Sequence, residues 1–370
     1  MTALLFKYAL VFAGTLLLLR LLSRTARRVG LVDYPGRRKR HRGAVPLIGG
    51  PAIFGGLAFG ALLVVDTLHP YRALFAGLAV LLIAGLLDDL RDLSARQKFA
   101  AQLLAALIMV WWGQMTVPNL GDLFGFGQVS LPNWAVPFTV IALLGLINAI
   151  NMADGADGLA AGLALIGFFF LALSATLAGK PLSAQLLWTV IVVLAAFWLL
   201  NSRFPWQAHA KVFLGDSGSM MLGMLLTWFS VEVARVGSGV PPIAAVWYLA
   251  VPLLDMGVII VRRLARRQSP FKAGRDHFHH VLIAAGLKPG SAVLLIHGIA
   301  LALAAGAFLA SRAGVPEFML FYAFLALLAS CIVMSWRWRR IIRALGRRRR
   351  WAATASSSIA ASRKGGVADR

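Results

Sequence analysis

Residues 73–89 read ALFAGLAVLLIAGLLDD, an apolar run that closes on two adjacent carboxylates, Asp88 and Asp89. Extended back to residue 70, the run approaches the ~20 residues needed to cross a hydrocarbon core about 30 Å thick. A helix of this composition belongs in lipid. Two carboxylates at its end are costly there, because desolvation and mutual repulsion both oppose their charge unless a cation or proton compensates. The stretch predicts a membrane span over 70–87 with chemistry at its edge.

The rest of the chain agrees. Of 370 residues, 59% are hydrophobic and only 14% charged, with a mean hydropathy of +0.78, against about 45–50% and about 25% in soluble domains. An ordinary soluble fold is excluded. Apolar runs of spanning length occur at about 3–22, 44–65, 70–87, 99–113, 134–150, 159–178, 184–201, 213–233, 243–261, 292–310 and 316–335. The expectation is an all-α polytopic bundle of about eleven transmembrane helices, the first retained as a span because no small-residue cleavage site follows it. Residues 1–335 are expected to form one transmembrane domain, and 336–370 a basic, partly disordered tail.

The net charge of +23 could suggest nucleic acid, but its distribution points elsewhere. Of the 37 Lys and Arg, 31 follow odd-numbered spans and only 4 follow even-numbered ones. By the positive-inside rule this places the N-terminus outside and the C-terminus in the cytoplasm. The arginines after Trp336 and Trp338 then suit an anionic lipid surface, and no nucleic-acid partner is expected. Cys331 is the only cysteine, so no intrachain disulfide forms.

Four polar clusters interrupt the spans, all on the expected cytoplasmic side. The first runs from Asp88 and Asp89 to Lys98. The second, Asn148 to Gly158, holds Asn148, Asn151, Asp154 and Asp157, hard oxygen donors among glycines that suit Mg²⁺ better than Zn²⁺. The third, Lys211 to Ser219, offers Asp216 as a metal ligand, Ser217 as a nucleophile, or simply an N-cap for the next span. The fourth, Ser269 to His280, sets His277, His279 and His280 beside Lys272 and Arg275, a set that favours anions over zinc. Carboxylates and amides for a divalent cation, with Lys, Arg and His for phosphates, are the equipment of metal-assisted phosphoryl transfer.

With Arg38-Lys39-Arg40-His41 and Pro46-Leu47-Ile48-Gly49-Gly50, these clusters make five motifs that resemble, in order, the polyprenyl-phosphate N-acetylhexosamine-1-phosphate transferases, from about residue 30 to 290. Pro46 to Gly50 and His277 to His280 look closer to the GlcNAc-1-phosphate branch than to the peptidoglycan branch, which uses UDP-MurNAc-pentapeptide. The resemblance implies a bacterial inner-membrane enzyme that transfers a sugar 1-phosphate from a UDP-N-acetylhexosamine to undecaprenyl phosphate, releasing UMP, at the first membrane step of O-antigen or a related surface glycan. It implies Mg²⁺, with Mn²⁺ as the other candidate cofactor, held mainly by Asp216 with help from Asn151. Lys98 is implied on the pyrophosphate, and Asp88 and Asp89 at the acceptor phosphate. Asn148, Asp154, Asp157, Phe213, Arg275, His277, His279 and His280 are implied around the nucleotide sugar. Ala153 and Ala156 depart from the larger aliphatic residues usual beside those acids. Oligomeric state stays open, with a homodimer as one possibility.

Two other classes remain on residue grounds alone. An intramembrane serine protease would use Gly215-Asp216-Ser217-Gly218 with His297 as base. A transporter would use the ionisable groups Glu232, Asp255 and His297 within the spans.

Overall fold

The computed structural model describes residues 2–34, 43–235, 239–269, 274 and 276–338. The Arg38 to His41 motif, Lys272, Arg275 and the tail beyond 338 lie outside the described residues.

The chain is helical almost throughout: α1 (Thr2–Val29), α2 (Gly49–Val64), α3 (Arg72–Arg91), α4 (Ala95–Leu107), α5 (Ala135–Ala153), α6 (Leu159–Leu177), α7 (Pro181–Asn201), α8 (Gly215–Val233), α9 (Pro242–Tyr248), α10 (Ala250–Ala265), α11 (Phe278–Ala284), α12 (Pro289–Arg312) and α13 (Glu317–Trp338). Each expected span coincides with a helix or helix pair. Seven are long and apolar enough to cross a bilayer: α1, α3, α5, α6, α7, α12 and α13. The pair α9–α10 makes an eighth if its two parts are one span, bent by 82°. Pro252, in the first turn of α10, cannot donate to the carbonyl of Tyr248, which removes a bond that would carry the helix straight through the break. Three expected spans fall short of that measure. α2 has only 16 residues, α4 has 13 before a π-helical turn at Ile108–Trp112, and α8 carries Asp216 and Glu232.

α8 is the axis of the bundle, packed against α2, α3, α5, α6 and α7. Every residue from Ser217 to Phe229 is buried, as expected of a helix apolar on all sides. Between membrane helices, where lipid is as apolar as leucine, close backbone approach supplies much of the packing energy. Gly85 of α3 is the clearest case: a Cβ there would overlap the backbone of Ser217.

The segment before α8 is fixed by backbone pairing. β1 (Val32–Asp33) pairs antiparallel with β2 (Val45–Pro46). Next, Phe213 N–H donates to Pro46 O (2.9 Å), Gly49 N–H to Phe213 O (3.0 Å) and Gly50 N–H to Leu214 O (3.3 Å). Asn201, buried at the end of α7, accepts Gly158 N–H at Oδ1 (3.0 Å) and donates to Val212 O (2.9 Å). These bonds bring the ends of α2, α5, α7 and the start of α8 to one end of the bundle.

Candidate active site

At that end, residues from α3, α4, α5 and α8 meet. Asp92, in the left-handed region at φ 49°, ends α3. Ser94 then starts α4 with a reciprocal cap, its hydroxyl accepting Gln97 N–H (3.4 Å) while Gln97 Oε1 accepts Ser94 N–H (2.9 Å). The Asp88 carboxylate fixes the turn between the two helices by accepting Leu93 N–H (2.7 Å). One turn into α4, Lys98 bridges two acids, with Nζ 2.5 Å from Asp88 Oδ2 and 3.1 Å from Asp216 Oδ2.

Asp216 owes its position to the start of α8. Gly215 takes φ +73°, a left-handed conformation that strains any side-chain-bearing residue. Asp89 then caps the helix: Oδ1 accepts Asp216 N–H (3.0 Å) and Oδ2 accepts the Ser217 hydroxyl (3.2 Å). A carboxylate at a helix N-terminus satisfies free N–H groups and meets the positive end of the dipole. On the other side, Asn151 Nδ2 donates to Asp216 Oδ1 (2.8 Å) and to Ser219 Oγ (2.9 Å). Asp88, Asp89, Lys98, Asn151 and Asp216 therefore form one connected cluster.

The remaining acids line the neighbouring turn. Asp154 is half-buried; burial, together with the carboxylates of Asp216, Asp89 and Asp157, holds it well above the usual carboxylate range. Asp157 Oδ2 pairs with Arg203 Nε (2.7 Å) and accepts Ala210 N–H (3.2 Å), tying this turn to the loop after α7. Phe213 is half-buried on the strand-like segment that leads into α8. Asn148 sits one helical turn below Asn151 and points at α4 instead, donating to Gln102 Oε1 (3.2 Å) and Leu144 O (2.7 Å).

The histidines arrive from the far side of the bend. Asp255 of α10 clamps the start of α11, with Oδ2 2.9 Å from His277 Nδ1 and Oδ1 accepting Phe278 N–H (2.9 Å). His277 and His279 stack with centroids 5.9 Å apart, and His280 lies 4.1 Å from His279. His279 is buried and lies over Gly155 of the acid-bearing turn. Burial, reinforced by His280 and His277, pulls its pKa down to about 4, so it is neutral at physiological pH.

Sequence reasoning missed Asp255 as a member of this region, as well as Asn201 and Arg203. Asp255 did carry a signal, an ionisable side chain inside an apolar run. The geometry disfavours the two other classes. The Ser217 hydroxyl is fully buried against Asp89, and His297 is engaged with Leu159 O (3.1 Å) and packed on Trp198. Glu232 bonds Tyr71 (3.2 Å) while Asp255 holds His277, so these ionisable groups form no continuous path.

Among the described residues, no three His, Cys, Asp or Glu side chains converge to hold a metal by themselves. The donor chemistry fits Mg²⁺ nonetheless. That ion binds through one or two carboxylates and completes its shell with water and substrate phosphates; Asp216 supplies a carboxylate, and Asn151, which turns its Nδ2 toward Asp216, would present its oxygen by a flip of the amide.

The sequence matches the family described as glycosyl transferase family 4 over residues 71–234. It is 34% identical over 346 residues to the undecaprenyl-phosphate alpha-N-acetylglucosaminyl 1-phosphate transferase of Escherichia coli (strain K12), covering 92% of this chain and 94% of that one. The identically named protein of Haemophilus influenzae is 35% identical over 343 residues, 91% of this chain and 96% of its own. That of Yersinia pestis is 32% identical over 346 residues, again 92% and 94%.

Proposed function

The chain belongs to the family of these 1-phosphate transferases, glycosyl transferase family 4, and from that membership we propose that it transfers GlcNAc-1-phosphate from UDP-GlcNAc to undecaprenyl phosphate. The observation that carries the reading is the Lys98 bridge between Asp88 and Asp216, with Asn151 on the opposite oxygen. It is a compact site for opposing phosphates.

In the proposed reaction an oxygen of the lipid phosphate attacks the sugar-linked phosphorus of the donor. A new P–O bond forms, the bond from that phosphorus to the oxygen bridging the two donor phosphates breaks, and UMP leaves with the electron pair. Asp216 and Asn151 would hold Mg²⁺, with Mn²⁺ as the alternative. When bound, the cation neutralises and orients the diphosphate oxygens. Lys98 adds a fixed positive charge beside them. Asp88 and Asp89 already serve as acceptors for Leu93, Asp216 and Ser217, which favours a positioning role over that of base or nucleophile. A prenyl phosphate is ionised near neutral pH and needs little activation. Trapping a phospho-enzyme on either residue would overturn this.

On this reading Asp154, Asp157 and Phe213 would hold the nucleotide, and His277, His279 and His280 the phosphates and sugar. The excess of cations after odd-numbered spans supports a site facing the cytoplasm from a bacterial inner membrane, the side on which nucleotide sugars are made.

The test uses purified protein with undecaprenyl phosphate and UDP-GlcNAc, following UMP release and lipid labelling with Mg²⁺ or EDTA. Metal-dependent labelling that vanishes in Asp216→Asn and survives in Ser217→Ala is expected. Labelling only with another UDP-amino sugar or UDP-MurNAc-pentapeptide would correct the donor. Silence with every donor, from folded protein, would sink the proposal.

A further inference from the structure

A second charged feature lies on the outer wall of the bundle, at the same end as the acids. A cleft of about 470 Å³ opens between α1, β2, the end of α7 and the segment before α8, lined by Arg20, Ser23, Arg24, Arg27, Val45 and Lys211 among others. Its size falls within the range of small-ligand sites. Arg20, Arg24 and Arg27 recur at helical spacing on one face of α1, and all three are exposed, as is Lys211. No carboxylate among the described residues lines the cleft. Among the described residues none of these four cations has an ion pair or a side-chain hydrogen bond. Four such cations converging on one concave site make a strong positive field that no described residue answers.

We infer that this cleft binds the headgroup of an anionic phospholipid. The ligand must carry a phosphate or similar anion, since guanidinium groups match phosphate oxygens in geometry and charge. Depth selects lipid over soluble phosphate. α1 has 28 residues, about eight more than the hydrocarbon core requires, so the turns bearing Arg20, Arg24 and Arg27 climb from the edge of the apolar layer into the headgroup region. One turn deeper than Arg20 on the same face, Leu17 is 58% exposed. Cations at headgroup depth above a bare leucine fit an amphiphile whose phosphate and acyl chain both find partners. The back wall at Lys211 and Val212 belongs to the segment that Asn201 ties down before α8, so an occupant would brace the approach to Asp216 from outside. The binding inference does not depend on the proposed reaction.

Native mass spectrometry of the full-length protein, released from micelles doped with phosphatidylglycerol, phosphatidylcholine or glycerol phosphate, tests it without an activity readout. Phosphatidylglycerol adducts are expected to outlast phosphatidylcholine adducts, with glycerol phosphate retained weakly. The triple variant Arg20→Gln, Arg24→Gln, Arg27→Gln should weaken phosphatidylglycerol retention at least about tenfold. Arg28→Gln, Arg266→Gln, Lys288→Gln, which removes the same charge outside the cleft, should change it less than about twofold. Should the first triple not fold, Arg24→Gln should weaken retention and Arg24→Lys preserve most of it. Equal losses in the two triples, undiminished retention in the cleft triple, or glycerol phosphate held as tightly as the lipid would each overturn the inference.

Discussion

Replacing Asp89 separates the role of a helix-anchoring carboxylate from that of a reacting one. In Asp89→Ala, Asp216 N–H and the fully buried Ser217 hydroxyl both lose their acceptor. An unsatisfied buried donor costs about 1–3 kcal/mol, and loss of the negative charge at the helix N-terminus a further 0.3–1 kcal/mol or so. Relief of the half-buried carboxylate's own desolvation offsets part of this, leaving a net loss of about 3 kcal/mol. At roughly 2–4 °C per kcal/mol for a chain of a few hundred residues, the apparent melting midpoint should fall by about 6–12 °C. Asp89→Asn keeps an acceptor for the Asp216 N–H and a polar partner for Ser217, so it should lose only about 1 kcal/mol. Intrinsic tryptophan fluorescence during a thermal ramp in detergent reads both, and Ser217→Ala closes a double-mutant cycle with an expected coupling of about 1 kcal/mol. If Asp89→Ala melts with the parent, or Asp89→Asn falls as far as Asp89→Ala, the capping argument is wrong.

Three further substitutions address other parts of the structure. Lys98→Met leaves Asp88 and Asp216 without their shared cation and should slow single-turnover transfer about 10²–10³-fold, the usual effect of losing one charge-stabilising donor; a loss under about threefold would remove Lys98 from the chemistry. Gly85→Ala drives a Cβ into the Ser217 backbone and should cost about 1–3 kcal/mol, whereas a Cβ at Gly298 meets nothing within 4 Å and Gly298→Ala should stabilise by up to about 1 kcal/mol; thermal midpoints moving in the same direction would refute the contrast. His279 is held near 4 in its docked state against about 6.5 when free. The docked state therefore binds fewer protons between those values, and its stabilisation, complete above about pH 6.5, is lost as pH falls toward 4. Hydrogen exchange over 278–284, corrected for its intrinsic pH dependence, should quicken in that window and lose the effect in His279→Gln; flat protection from pH 7 to 5 would contradict it.

Hydropathy made the helices legible because each span must hide its backbone in lipid, and that constraint is local. α2, α4 and α8 are shorter or less apolar than the other spans, since a helix enclosed by others need not be as long or as apolar as one facing lipid. Hydropathy gave α9 and α10 as one run over 243–261 without the 82° bend between them, although Pro252 was visible in the sequence. Family membership followed from motif order, which survives at 34% identity. Side-chain partnerships did not. That Asp89 caps α8, that Asp157 answers Arg203 and that Asn148 turns toward Gln102 depend on how helices rotate about their axes. One residue of rotation, about 100°, would reassign every one of them.

Asp89 and Asp216 are 127 positions apart, and Lys98 and Asp216 118. At a synthesis rate of about 5–20 residues per second, α3 and α4 are made roughly 6–25 seconds before their partner on α8 exists. For that interval Asp88 and Asp89 have only local cations such as Arg91, Arg96 and Lys98 to compensate them, and the cluster around Asp216 is incomplete. On the proposed reading, reactivity is switched on by a late insertion event, and a ribosome stalled before residue 216 would leave an inert set of helices in the membrane, not a partly active enzyme.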